Sequence, residues 1–313
     1  MYAVLAGGVG AARFLRGLTA VVPADEVVAI VNVGDDLERF GLRVCPDLDS
    51  ITYWLSGTVH PEQQWGRADE SHVVATELER FGHDPWFTLG DRDLGVHIHR
   101  SWRLGQGASL SQVAEEVRHA FGVGIRLIPA TDDRAETRIV TEDGRDLHFQ
   151  EYWVGERGAP PVASVHLAGA ADARPAPGVV EALVDADAII IAPSNPVVSI
   201  DTILAIPGIA EALRTTPAPV VGVSPIIGGQ VVRGMAHKLL PAVGAEVSAA
   251  GVAAHYGPDL LDGFVIDTAD ADAVDAIAAL GIRCVATDTM MDDVEVAGSL
   301  ARTCLALAAE LAG

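Results

Sequence analysis

Short apolar, β-branched runs alternate with longer amphipathic stretches along most of this chain. The runs Ala3–Leu5, Val27–Asn32, Ile125–Ile128, Ser164–Leu167, Ala188–Ala192, Val220–Val223, Gly263–Asp267 and Arg283–Ala286 are predicted strands. Several are continuously apolar, as strands buried on both faces are. Between them the spacing predicts helices over Ala11–Ala20, Asp47–Leu55, Glu70–Phe81, Leu110–Ala120, Gly178–Val184, Met235–Pro241, Val247–Tyr256, Ala271–Leu280 and Val294–Leu311. Strands alternating with helices predict an α/β fold with a doubly wound, mostly parallel, Rossmann-like sheet.

The rhythm breaks over residues 36–121, which read as helix and loop with few strand signals. This stretch is expected to be a mostly helical insertion, within a single α/β domain spanning 1–313, that caps the active site at the strand C-termini. Open α/β sheets bind ligands there. Thr137–Thr141 and Leu147–Gln150 flank Asp143-Gly144, a favoured two-residue hairpin turn. Leu147, Phe149 and Trp153 share one parity and are expected to share one face.

Composition narrows the partners. The formal net charge is -22, so no broad basic footprint exists for a nucleic-acid backbone or an anionic membrane surface. An acidic chain that binds phosphates must concentrate its few cationic side chains or recruit a divalent cation. Cys45, Cys284 and Cys304 are far apart and form no Cys-x-x-Cys pair, which disfavours a disulfide framework or a structural zinc site. No signal-peptide pattern precedes the first strand, and no apolar run approaches the roughly 18 residues that span a bilayer. The expected setting is the cytoplasm.

The chemistry begins at Ala6-Gly7-Gly8-Val9-Gly10-Ala11-Ala12-Arg13, where a strand runs through a glycine turn into a helix. Such a junction aims backbone N–H groups at an anion. It is not a P-loop, because no Gly-Lys-Ser/Thr follows. It departs from the dinucleotide fingerprint at Arg13, which stands where a third small residue belongs but could reach a phosphate. Asn32, Asp35 and Asp36 follow the second strand and suit a ribose or a metal, or else a solvated polar loop. Asp47 and Asp49 open a helix behind Pro46, which is expected to stop a preceding helix. Asp47 is equally an N-cap, and the pair is equally a Mg²⁺ site beside the phosphate turn. Asp91-Arg92-Asp93 is expected in a glycine-flanked turn, either as a surface ion pair or presenting Arg92 to an anion while the aspartates hold it. His97 and His99 lack a third ligand in sequence and are assigned core or surface roles. Pro193-Ser194-Asn195-Pro196 and Ser224-Pro225-Ile226-Ile227-Gly228-Gly229 end two further strands. Asn195 suits a nucleobase edge or a ribose, Ser199 the cap of the next helix, and the second glycine turn a phosphate. No nucleophile elbow occurs, which points to direct in-line transfer.

Together these motifs resemble the 2-phospho-L-lactate transferase family of coenzyme F420 biosynthesis. The likeness is carried by Gly7-Gly8-Val9-Gly10 with Ala12-Arg13-Phe14-Leu15, Val31-Asn32-Val33-Gly34-Asp35-Asp36, Gly41 through Asp49, Leu89-Gly90-Asp91-Arg92-Asp93, Asp132-Asp133-Arg134, His148-Phe149-Gln150-Glu151, Ala192-Pro193-Ser194-Asn195-Pro196 and Val223 through Gly228. It runs from Met1 to about Val296, and the first four runs most resemble the actinobacterial, phosphoenolpyruvate-transferring branch. Ala11 departs from the glycine expected there. The resemblance implies Mg²⁺-dependent transfer of a phosphoenolpyruvyl or 2-phospho-L-lactyl group from a guanosine diphospho-linked donor to the deazaflavin Fo. GMP would leave, and a (dehydro) F420-0 product would form. It also implies Fo contacts at Asp49 and Arg92, with Asp49 near the metal, and nucleotide contacts at Gly8, Val9, Gly10 and Asn195. From position alone, Arg13, Asn32 and Ser194 join the nucleotide set, and Asp49 is the candidate to orient or deprotonate the acceptor hydroxyl. A homodimer and contact with a donor-making guanylyltransferase are further expectations. Two other functions use the same glycine turn: an NAD- or FAD-type Rossmann oxidoreductase, and a non-catalytic nucleotide-binding regulator, which would lack the Asp49 and Arg92 neighbourhoods.

Overall fold

The computed structural model describes residues 1–84 and 86–313. The chain enters on β1 (Tyr2–Ala6), turns at Gly7 into α1 (Gly8–Leu18) and returns on β2 (Val27–Val31), parallel to β1. A short hairpin of β3 (Leu37–Arg39) and β4 (Leu42–Val44) leads into α2 (Pro46–Leu55), α3 (Val73–Arg80), α4 (Asp91–Gly105) and α5 (Leu110–Ala120). Then β5 (Arg126–Pro129) pairs with the free side of β2. β6 (Glu136–Thr141), β7 (Asp146–His148) and β8 (Val162–Ala168) form a separate antiparallel sheet.

The second half adds α6 (Val179–Val184), β9 (Ala188–Ile191), α7 (Asp201–Leu204), α8 (Ile209–Thr215) and β10 (Val220–Val223). It continues through the two-residue strands β11 (Ile226–Ile227) and β12 (Gln230–Val231), then α9 (Ala236–Ala242) and α10 (Ala249–Tyr256). It closes with β13 (Gly263–Asp267), α11 (Val274–Ala278), β14 (Arg283–Thr287) and α12 (Val294–Ala312).

Among the described residues, seven strands make one sheet in the order β14-β13-β10-β9-β1-β2-β5, every neighbouring pair parallel. The chain steps outward from β1 through β2 to β5, then crosses back to β9 and steps outward the other way. The switch point therefore lies between β1 and β9, and open α/β sheets bind ligands beyond the strand C-termini at such a point. β2, β9, β10 and β13 are buried along their whole lengths; β2 and β9 are apolar at every position, as strands covered on both faces are, while β13 ends on the buried Asp267. On α1, Phe14, Leu15 and Leu18 are fully buried, each contributing about 2 kcal/mol of apolar burial. A Cβ on Gly17 would lie 2.3 Å from the carbonyl carbon of Ala297, so α1 and α12 pack backbone to backbone.

Several expectations are corrected. Ser164–Leu167 lies in β8, outside the parallel sheet, and alternates between half-buried and exposed positions. Asp91-Arg92-Asp93 is no turn: Gly90 is the N-cap of α4, a fifteen-residue helix that the internal Gly95 and the terminal Gly105 disguise. Pro46 stops no helix. It is the first residue of α2, where its missing N–H costs nothing, and Cys45 rather than Asp47 is the N-cap. The Asp143-Gly144 hairpin forms, but with a three-residue loop: Thr141 N–H donates to Arg145 O at 2.9 Å and Gly144 takes φ +86. Phe149 is buried while Trp153, past the strand end in a π-turn, is exposed. Among the described residues no single helix is long and apolar enough to cross a membrane.

Candidate active site

The glycine turn is built for close approach. Gly8 takes φ +68, and a Cβ on Gly10 would fall 2.1 Å from the carbonyl oxygen of Pro193. That contact packs the start of α1 against the turn after β9. Ser194 ties the same two turns together: its hydroxyl donates to Gly7 O at 2.9 Å and accepts from Gly7 N–H at 3.2 Å. Asn195 caps the following π-turn, its Oδ1 accepting from Val197 and Val198 N–H at 3.0 and 3.3 Å. Ser199 is therefore not the cap; it packs beneath Gly7. Among the described residues the Nδ2 of Asn195 bonds no protein atom. The first turn of α1 leaves N–H groups without intrahelical acceptors. Asp47 accepts that of Gly8, and those of Val9 and Gly10 remain for an anion. Ala11 is a buried interior residue of α1, so alanine serves there.

Asn32 is the hub beneath this turn. It is 1% exposed, and its Nδ2 lies 2.9 Å from Asp47 Oδ2, 3.2 Å from Asp35 Oδ1 and 3.2 Å from Val198 O. Its Oδ1 accepts from Gly34 N–H and the Thr202 hydroxyl. Gln150 Nε2 donates to Asp35 from the other side at 3.3 Å. The alternative of a solvated loop fails, because Asp36 is 0% exposed. It accepts from Arg43 Nη2 at 3.0 Å and Cys45 Sγ at 2.9 Å, while its Oδ1 has no partner.

These carboxylates resist ionisation. Burial pushes Asp47 up to about 7 and Asp36 up to about 6. Burial and the neighbouring Asp47 raise Asp35 well above the usual carboxylate range. Oxygen donors crowded in a dry pocket suit a hard divalent cation, which would return them to the charged form.

Asp49 belongs to a second group. Both of its oxygens are gripped by Arg100, with Nη1 3.1 Å from Oδ2 and Nη2 on Oδ1. His97 Nδ1 is 3.7 Å from Asp49 Oδ2, and His97 Nε2 is 3.3 Å from Asp93 Oδ2. Tyr53 donates its hydroxyl to Asp93. Burial opposes the charge on Asp93, but the His97 contact and the Tyr53 hydrogen bond hold its carboxyl below the usual range. Asp49, Asp93 and His97 are close enough to hold a metal. The guanidinium already on Asp49 fills that role, and the imidazole makes the set less suited to Mg²⁺ than the all-oxygen group around Asn32. The sequence expectation paired Asp47 with Asp49; in the fold Asp47 faces Asp35 across Asn32, and Asp49 faces Arg100.

Arg92 is exposed, its backbone N–H donating to Glu70 at 2.7 Å. Neither flanking aspartate holds it: Asp91 accepts from Ser71 and the N–H groups of Val73 and Val74, and Asp93 faces Tyr53 and His97. The Gly228-Gly229 turn is not a phosphate cradle either. Its two N–H groups donate to Asp270 at 2.8 and 3.1 Å. Sequence reasoning missed Arg100, Arg43, Gln150 and Thr202, and set His97 aside. The signal that could have found Arg100 and His97 is helical spacing: His97 stands four residues after Asp93 and Arg100 three after His97, visible only once that stretch is read as a helix.

Fold and site place the chain among doubly wound α/β proteins, with its buried polar residues gathered beside the sheet's switch point. Comparison with known proteins is more specific. The family model for the 2-phospho-L-lactate transferase CofD matches residues 3–302, and the chain belongs to that family. It is 55% identical over 312 residues to the phosphoenolpyruvate transferase of Kitasatospora aureofaciens, covering 98% of this chain and 97% of the relative. It is 52% identical to the protein of that name from Streptomyces coelicolor, with 98% of each covered, and 48% identical to that of Thermobifida fusca, also with 98% of each covered. The crystal structure of a UPF0052 family member from Bacillus halodurans shares the fold, with a TM-score of 0.66 at 20% identity over 97% of this chain and 98% of that one. The protein is thus a transferase of the phosphoenolpyruvate/2-phospho-L-lactate type.

Proposed function

We propose that the protein moves a phosphoenolpyruvyl (alternatively a 2-phospho-L-lactyl) group from a guanosine diphospho-linked donor to a hydroxyl of the deazaflavin Fo, releasing GMP and forming (dehydro) coenzyme F420-0. One observation carries this reading within the family: Asp47 joins the helix N-terminus at Gly8 to the carboxylates around Asn32, and two residues further along the same helix Asp49 is held by Arg100. In-line transfer from a diphosphate to a hydroxyl draws on an anion site, a counter-cation and a group that orients the acceptor.

In this reading Val9 and Gly10 N–H groups and Arg13 hold the donor phosphates, with Gly8 shaping the turn. Ser194 fixes the two turns, and the free amide of Asn195 meets the guanosine. Asp47 and Asp35, positioned by Asn32, would hold Mg²⁺, which when bound offsets the diphosphate charge. Asp49, oriented by Arg100, receives the acceptor hydroxyl as orienting group or base. Arg92 contacts Fo. The stretch 36–121 supplies Asp49, Arg92 and Arg100 and acts as the lobe over the crevice. The setting is the cytoplasm, as a homodimer, with the donor supplied by a guanylyltransferase.

The test is a mass-spectrometric assay with Fo, Mg²⁺ and guanosine diphospho-acids made in situ from GTP and phosphoenolpyruvate, phospholactate or phosphoglycerate. A product carrying Fo plus the phospho-acid establishes the reaction and names the donor. No product from folded protein with any donor overturns it.

A further inference from the structure

Arg13 and Arg233 form no ion pair among the described residues, in a chain with 43 acidic and only 21 basic Lys and Arg side chains. Neither hangs loose in solvent. The Arg13 guanidinium lies over the Trp54 ring, 5.5 Å from its centroid, and its Nε is buried without a hydrogen-bond partner. Trp54 Nε1 donates to Gln64 O at 2.9 Å. Arg233 is more exposed, yet it reaches the same residue from elsewhere in the chain. Its Nη1 donates to Gln64 Oε1 at 2.7 Å and its Nη2 to Gln63 O at 2.6 Å. Trp54 and Gln64 therefore connect the two arginines.

Both belong to the crevice end of the sheet. Side chains of a helix lean toward its N-terminus, so Arg13 leans back toward the Gly8–Gly10 turn. Arg233 follows the β11–β12 hairpin, which leaves the C-terminal end of β10, the neighbour of β9. Partial burial and the like charge of Arg13 both hold the Arg233 guanidinium below its usual range. Two guanidiniums brought together without a carboxylate are mutually unfavourable until an anion arrives. Each then offers forked N–H donors to its oxygens.

We propose that Arg13 and Arg233 form a two-cation clamp for an oxyanion of the donor, either a phosphate or the carboxylate of the transferred acid, with the Gln63–Gln64 segment holding Arg233 in position. This deepens the transferase reading and rests on it. If Arg13 served only to stack on Trp54, ligand affinity would be indifferent to Arg233.

The experiment compares unaltered protein with Arg233→Ala, Arg233→Lys and Gln64→Ala. It uses calorimetric titration with GDP and Mg²⁺, steady-state KM for the in-situ donor and for Fo, and thermal midpoints as a check on folding. The clamp predicts that Arg233→Ala weakens donor binding about tenfold or more at an unchanged midpoint, with KM for Fo unmoved. Arg233→Lys should keep part of that affinity, and Gln64→Ala should lose a smaller part. Loss of GDP affinity assigns the clamp to phosphate. Unchanged GDP affinity with a raised donor KM assigns it to the carboxylate. Unchanged GDP affinity and unchanged donor KM in Arg233→Ala overturn the clamp while leaving the transferase reading intact. Absence of turnover in the unaltered protein overturns the transferase reading, and the GDP affinities then decide the clamp alone.

Discussion

Arg100 grips Asp49 through both terminal nitrogens, and the two residues are 2% and 4% exposed. A pair this dry is worth little compared with an apolar substitute, but breaking it strands one charge. Arg100→Met should therefore destabilise the protein by about 3–5 kcal/mol. The double variant Asp49→Asn/Arg100→Met should lose clearly less. Urea unfolding of the four proteins measures the coupling, and additive losses would show that the pair is not coupled.

For catalysis, Asp49→Asn is the cleaner substitution than Asp49→Ala, since the amide can still accept from Arg100. It should cut turnover by about 10²-fold or more, while the stranded Arg100 charge lowers the thermal midpoint, so the assay is run well below that midpoint. Near-normal turnover in the Fo assay would remove Asp49 from the acceptor's side of the reaction.

The carboxylates around Asn32 set a pH dependence of stability. Burial raises Asp47 to about 7 and Asp36 to about 6 in the folded protein, and raises Asp35 with them. In the unfolded chain all three ionise near pH ~4. Between about pH 4 and 7 the folded state holds protons the unfolded state has lost, so these groups make the metal-free protein less stable as pH rises through that window. A divalent cation binds the deprotonated form, so Mg²⁺ should raise the thermal midpoint more at about pH 8 than at about pH 5. Asp47→Asn should flatten both effects. A Mg²⁺ shift independent of pH would place the cation elsewhere.

Gly10 admits no side chain, because a Cβ would lie 2.1 Å from Pro193 O. Gly10→Ala must push α1 away from the turn after β9, at a cost of about 1–3 kcal/mol. It should weaken GDP binding further than that loss of stability explains. Calorimetry and thermal unfolding on one preparation separate the two effects.

Asn195 uses its oxygen for the cap and leaves its amide nitrogen free. Asn195→Asp keeps the cap and loses the donor, so stability should hold while guanosine nucleotide affinity falls about tenfold. Asn195→Ala should lose about 1 kcal/mol of stability as well. The same GDP affinity in Asn195→Asp as in the unaltered protein would exclude a nucleotide contact by the amide.

Local pattern was enough to read the sheet and the family. Runs such as Val27–Val31 and Ala188–Ile191 are apolar at every position because both faces of a parallel strand are buried, and that signal needs no distant partner. The glycine turn before α1 was equally legible, since only a strand, a tight turn and a helix satisfy it. Which carboxylates act together emerged only in the folded chain. Asp47 and Asp49 are two residues apart, so on a helix they point in directions about 200° apart, one to Asn32 and one to Arg100. Folding likewise commits the N–H groups of Gly228 and Gly229 to Asp270, and brings Arg233 to Gln64 across 169 residues of chain. Such pairings depend on packing between distant elements, and no periodicity within a single element encodes them.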